Sequence, residues 1–152
     1  MLDMENLEQY RENNRIEAKQ ALGGLPESLW ETYSAFANAE GGVILLGVEE
    51  REDKSLHALD ILDPQWLLED LWAILRDETR VSVNLLTEED VAVHRVDGKQ
   101  IISVTVPKAA RRDRPVYIDN DPYRGTYRRC GEGDYRCTAE EVEQMLRRRS
   151  GE

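Results

Sequence analysis

Four carboxylates stand where a short chain could bring them together. Glu12 and Glu17 flank the start of an alternating stretch, and the adjacent pair Glu49 and Glu50 closes an apolar run. Magnesium or manganese needs clustered carboxylate oxygens, and one or two such ions, or one ion plus a base, can drive phosphodiester hydrolysis. The plain alternative is a solvated surface, because the chain carries 31 acidic residues and carboxylates at strand ends are usually wet.

Other chemistry is thinly represented. His57 and His94 are far apart and neither lies in a metal-ligand spacing; His94 alternates with Val93 as a strand-surface residue would. Cys130 and Cys137 match no zinc or redox motif and read as idle thiols. There is no Gly-x-x-x-x-Gly-Lys-Ser/Thr phosphate loop and no Gly-x-Ser-x-Gly elbow.

The positive charge is concentrated. Of 152 residues, 20 are Lys or Arg, and the formal charge of −11 excludes a uniformly basic nucleic-acid binder. Residues 1–110 hold ten basic and 22 acidic side chains, whereas residues 111–152 hold ten Arg, no Lys and nine acids. Arg presents a planar fork of donors that matches phosphate. Arg111, Arg112, Arg114, Arg124, Arg128 and Arg129 are therefore the candidate anion contacts, unless they pair with neighbouring acids.

Elements must position these groups. Leu2, Leu7 and Tyr10 can hold a short polar helix over 3–12, and Ile16 and Ala18 alternate with charges as a strand with one wet face, so Glu17 and Lys19 share a side. Pro26 opens a helix with Leu29, Tyr33, Phe36 and Ala37 at helical spacing, and Gly41-Gly42 ends it. Val43–Val48 reads as a central strand covered on both faces. Asp63 and Pro64 start a second helix with Leu67, Leu68, Leu71, Trp72 and Leu75 on one side; Trp30 joins this core.

From residue 81 the period becomes two. Strands are expected over 81–85, 91–96 and 100–106, the last two joined by an Asp97-Gly98 hairpin turn, and shorter ones over 115–118 and 126–130. Thr138-Ala139-Glu140-Glu141 is a capping box opening a last helix with Val142, Met145 and Leu146 inward. With no repeat or linker, the chain reads as one α/β domain over 1–152, an α+β mixed sheet with flanking helices. The two cysteines are too few for a disulfide framework, no apolar run is long enough to span a membrane, and the acidic start is unlike a signal peptide. A reducing cytoplasm is the expected location.

The stretch Ser34-Ala35-Phe36-Ala37-Asn38-Ala39-Glu40-Gly41-Gly42-Val43-Ile44-Leu45-Leu46-Gly47-Val48-Glu49-Glu50 resembles the Schlafen-type Alba-like (AlbA_2) domain. That family's signature is Phe-Ala-Asn-x-x-Gly-Gly, a strand, and Gly-Val-x-Asp. Ile16-Glu17-Ala18-Lys19, Arg114-Pro115-Val116-Tyr117 and Tyr127-Arg128-Arg129-Cys130-Gly131 are similar to three further segments of the family, in order, from about residue 8 to residue 148. In this pattern Asn38, Gly41, Gly42 and Gly47 carry turns and close approaches.

The resemblance implies a domain of the kind described in bacteria as a DNA-binding or ATP-binding part of transcription regulators; that the chain is the N-terminal part of a longer regulator is a further expectation. In animal relatives two such lobes enclose a basic groove, and some cleave transfer and ribosomal RNA with three acids. Glu12 and Glu17 match that Glu-x-x-x-x-Glu pair, and the third acid falls at Glu49 or Glu50. The departures are Glu for the usual Asp and Ala18 for an aromatic.

The expectation is a nucleic-acid-binding domain, DNA favoured over RNA, holding phosphates with the six arginines and Lys19, and paired as a homodimer that rebuilds a two-lobed groove. The enzyme alternative is a magnesium- or manganese-dependent endoribonuclease using Glu12, Glu17 and Glu50 catalytically, with Glu49 as a further metal ligand. A third reading is an ATP-binding or protein-interaction module.

Overall fold

The computed structural model describes residues 2–151. Strands β1 (Ile16–Lys19), β2 (Gly42–Leu46), β6 (Lys99–Val106) and β5 (Val91–Val96) form one mixed sheet in the order β1-β2-β6-β5. β1 runs parallel to β2, with Glu17 opposite Ile44 and Lys19 opposite Leu46, and the other pairs are antiparallel. A parallel pair needs a crossover; helix α1 (Ser28–Asn38) supplies it. Two hairpins complete the strands, β3 (Val48–Glu50) with β4 (Leu56–Ala58), and β7 (Tyr127–Cys130) with β8 (Gly133–Arg136).

β2 is buried on both faces because its alternate residues feed two cores. Ile44 and Leu46 join Leu29, Tyr33 and Phe36 of α1 and Leu67, Leu71 and Leu75 of α2 (Pro64–Leu75). Leu45 packs on the other side with Leu7, Ile16, Val48, Leu56 and Ile101. The amino-terminal segment is a 3-10 turn, Met4–Gln9, rather than an α-helix, broken at Asn6, and Leu7 is its one buried residue. Helix α2 begins as expected: Asp63 Oδ1 accepts the Trp66 N–H at 3.1 Å.

Two glycines cut the central segment. Gly41 turns α1 into β2 at φ +78°, and a Cβ there would meet the Val106 carbonyl at 2.7 Å. Gly47, at φ +80°, ends β2, so the apolar run expected as one strand over Val43–Val48 is two: Val48 opens β3 in a separate hairpin. A Cβ at Gly47 would also strike Ile61 at 2.6 Å.

The period-two pattern over 81–85 overstates the backbone. That segment makes only the Val81–Ile118 bridge, and 115–118 adds one more, Tyr117–Thr126. Both sit on the α1 side as irregular chain, anchored by polar contacts: Tyr33 Oη donates to the Val83 carbonyl at 2.7 Å and accepts from the Leu85 N–H at 3.0 Å. Asp97 and Gly98 form the expected β5–β6 turn, both at positive φ. A short helix α3 (Pro122–Gly125) precedes β7, and helix α4 (Ala139–Arg149) closes the chain, with the Thr138–Glu141 capping box formed in both directions. Among the described residues no helix is long and apolar enough to cross a membrane.

Candidate functional site

Glu12 lies just before β1 and accepts the Ala18 N–H at 2.9 Å, which folds its carboxylate back toward the strand. Glu17, pointing out of β1, is next to it. Glu50 arrives from the end of β3, and Glu132 from the turn of the β7–β8 hairpin. Glu12, Glu50 and Glu132 each offer an oxygen within 4.8 Å of the others, the one such grouping among the described residues. Burial raises the Glu12 pKa above the usual carboxylate value, and the neighbouring Glu17 adds to the effect, because ionising one acid beside another in a half-dry site is unfavourable.

Alternation along β3 separates the two adjacent acids. Glu50 faces Glu12, and its Oε2 is buried without a hydrogen-bond partner while Lys54 stands 3.6 Å from Oε1. Glu49 points elsewhere and pairs with Arg51 at 3.1 Å. Of the acids expected together, Glu12 and Glu50 meet, with Glu132 as the third member; Glu17 lies beside Glu12 but is held by Arg129, and Glu49 stays apart. Neither histidine joins them: His57 contacts Ser55 and Glu8, and His94 contacts Ser103.

The remaining cation of this site was expected on the surface and is inside. Arg129 has a side chain 1% exposed; its Nη1 meets Glu17 at 3.0 Å and Asp134 at 2.7 Å, and its Nη2 donates to the carbonyls of Asn13 and Ile16. The guanidinium lies 4.8 Å from the Phe36 ring centroid. With both Nη atoms engaged by the protein and Nε buried without a partner among the described residues, Arg129 holds Glu17 and the hairpin rather than reaching solvent. Lys19 is similarly engaged, donating to Ser28 Oγ at 3.0 Å with Glu17 at 3.8 Å.

The other arginines divide. Arg114 is half-buried with an unpartnered Nε. Arg124 is 85% exposed, with Asp121 at 3.9 Å, and Arg128, exposed on the outer face of β7, has Glu141 at 3.5 Å. Arg111 and Arg112 are exposed on a 3-10 turn, Arg111–Asp113, and make no ion pair among the described residues. Arg149, which sequence reasoning left unassigned, fastens this turn to α4 by donating to the carbonyls of Asp113, Arg114 and Pro115. The exposed Arg147 and Arg148 lie on the same last turn of α4.

Asn38 earns its place at the end of α1. Its amide donates to the Val116 and Tyr127 carbonyls, both at 3.0 Å, and its Oδ1 accepts the Val116 N–H at 2.8 Å. One side chain thus ties β7 and the 115–118 segment to the crossover helix. Gly42, under the Phe36 ring, admits no Cβ: it would lie 2.8 Å from the ring and from the Arg15 carbonyl.

Sequence reasoning missed β8, Glu132 and Asp134. The signal was present in Cys130-Gly131-Glu132-Gly133, a glycine-led two-residue turn followed by an aromatic.

The fold and site define a single α+β domain in which a crossover helix, a mixed sheet and a late hairpin gather carboxylates at one end. The chain belongs to the Schlafen AlbA_2 family, whose model matches residues 12–138. It is similar to the N-terminal domain of an ATP-dependent DNA helicase RecG-related protein from Nitrosomonas europaea, at 31% identity and TM-score 0.65, covering 91% of this chain and 95% of that one. The DIP2311 protein from Corynebacterium diphtheriae shares the fold at 22% identity and TM-score 0.56, over 88% of this chain and 24% of that one. No curated protein matches.

Proposed function

We propose that this domain binds nucleic acid by its phosphates, with DNA as the favoured target, through Arg111, Arg112, Arg124 and Arg128 and the adjoining Arg147 and Arg148. The observation that carries this reading is the clamp of Arg149 on the Arg111–Asp113 turn, which sets two pairs of exposed guanidiniums, without ion pairs among the described residues, on neighbouring elements. Family membership and a relative named as a helicase-related protein support it. Contacts of this kind position a strand without specifying its sequence. The test is binding of labelled single- and double-stranded DNA and of transfer RNA at several salt concentrations. The double variant Arg111→Ala/Arg112→Ala is expected to flatten the log-log salt slope by about 1.4 to 1.8; an unchanged slope overturns the assignment.

The carboxylates favour a second reading, metal-dependent cleavage of the bound strand. Glu12, Glu50 and Glu132 present hard oxygen donors, and the orphaned Glu50 Oε2 suits magnesium or manganese. Such an ion, when bound, supplies an activated water and neutralises charge on the attacked phosphate. Glu12 and Glu50 orient the ligand oxygens, while Glu17 stays fixed by Arg129. Shortened strands with manganese, lost in Glu50→Gln with binding intact, are the expected signature; intact strands from the parent protein end this reading.

A further inference from the structure

The β7–β8 hairpin has two unlike faces. Its inner face carries Arg129 and Asp134, locked against α1 through Phe36 and through Thr32, whose hydroxyl donates to Asp134. Parity then places Arg128 and Tyr135, which are register partners, on the outer face together with Cys130 and Gly133. Tyr135 is 52% exposed there, and its hydroxyl makes no hydrogen bond among the described residues. A large aromatic left on the surface of a rigid hairpin is an unspent stacking surface.

Two details hold the ring in place. The Arg128 guanidinium carbon lies 5.7 Å from the Tyr135 ring centroid, and Glu141 steadies that guanidinium at 3.5 Å. The ring also lies across Gly133: a Cβ at that position would stand 2.8 Å from both Tyr135 Cε2 and its hydroxyl oxygen. Next to Gly133, in the turn itself, is Glu132, one of the three converging carboxylates.

We infer that the outer face of this hairpin is a stacking platform for an unpaired nucleobase, with Tyr135 as the ring it stacks on and Arg128 as the cation beside it. The nucleic acid recognised is therefore single-stranded or locally unpaired, and a base seated on Tyr135 brings its strand alongside Glu132. This rests on the nucleic-acid reading above. A base has a π-face whatever its identity, so the platform adds affinity without sequence preference, and it discriminates against duplexes, whose bases are already stacked.

The probes are a 12-residue oligothymidylate carrying one 2-aminopurine, the matching oligouridylate, and a DNA duplex of equal length. Tyr135→Leu keeps apolar cover over Gly133 but has no π-face, and Tyr135→Trp keeps one. Single-strand affinity is expected to fall roughly five- to a hundredfold in Tyr135→Leu and to hold in Tyr135→Trp. Duplex affinity stays unchanged in both. The 2-aminopurine fluorescence is quenched on binding to the parent and to Tyr135→Trp, and not on Tyr135→Leu. Equal loss against the oligothymidylate and the oligouridylate marks base stacking; loss against only one assigns the platform to DNA or to RNA. If Tyr135→Leu, with an unchanged melting temperature, binds single strands as the parent does, or loses duplex binding equally, the inference is wrong. If the parent binds none of the three probes, it is the nucleic-acid reading itself that fails.

Discussion

Arg129 Nη1 stands 3.0 Å from Glu17 Oε1, and this contact, with the Nη2 bond to the Ile16 carbonyl, joins the late hairpin to the first strand of the sheet. It also sorts the acids. Glu17 is neutralised by Arg129, with Lys19 at 3.8 Å, whereas Glu12 has the Ala18 N–H and no cation. Glu12 is therefore the acid left without a cation among the described residues, whereas Glu50 has Lys54 at 3.6 Å; both lie beside Glu132.

Arg129 is a structural cation, and its removal tests that directly. Arg129→Ala leaves Glu17 and Asp134 without their partner in a nearly dry site, and the expected loss is about 3 to 5 kcal/mol of stability by urea unfolding. Arg129→Lys recovers little, because a point charge cannot serve two carboxylates and two carbonyls in one plane. Arg111→Ala, on the open surface, is expected to change stability by less than about 0.5 kcal/mol. Equal effects at the two positions would falsify this division of the arginines.

Glu12 has a folded pKa raised above its unfolded value, first by burial and then by Glu17. A group shifted in this direction contributes stability that is present below the ordinary carboxylate range and lost as pH rises through the raised folded value. At neutral pH the ionised Glu12 is thus a strain on the fold. Discounting for its half-exposed setting, Glu12→Gln is expected to raise the melting temperature at pH 7 by about 2 °C. The gain disappears near pH 4, where the parent is protonated too. Calorimetry of both proteins across this range checks the sign; a lower melting temperature for Glu12→Gln at pH 7 contradicts it.

Tyr33 is buried against Trp30 and bridges Val83 and Leu85, and burial pushes its hydroxyl up to about 12. Its stabilising contribution is complete below about pH 10, the unfolded value, and is lost as pH rises toward 12. Tyr33→Phe strands a carbonyl and an N–H and is expected to cost about 1 to 3 kcal/mol at pH 7. Between pH 10 and 12 the parent loses stability faster than the variant, so the two unfolding curves approach each other. Parallel curves over that interval would remove Tyr33 as the alkaline-sensitive group.

Local chemistry was enough to place much of this fold. Asp63-Pro64, Asp97-Gly98, Gly41-Gly42 and Thr138–Glu141 each satisfy or redirect backbone groups within a few residues, so their turns and caps could be read directly. The alternation that put Glu17 and Lys19 on one side of β1 is equally local, whereas the Glu12 and Glu17 pair with a third acid at Glu49 or Glu50 came from the family resemblance and not from spacing. Tertiary packing decided the rest. Parity separates Arg128 from Arg129 and Glu49 from Glu50, but which of each pair turns inward depends on what the strand packs against: α1 for β7, and the Glu12 side for β3. The 81–85 segment has strand periodicity yet completes no ladder, because α1 meets it through the Tyr33 side chain and the 115–118 chain pairs with it only at the Val81–Ile118 bridge. Glu132 entered the carboxylate group through a hairpin whose position is set by Arg129 on Glu17 and Asp134 on Thr32, partners that lie far upstream in the chain. Residue types and spacing name the groups able to do chemistry; which of them meet depends on contacts that no short stretch of sequence contains.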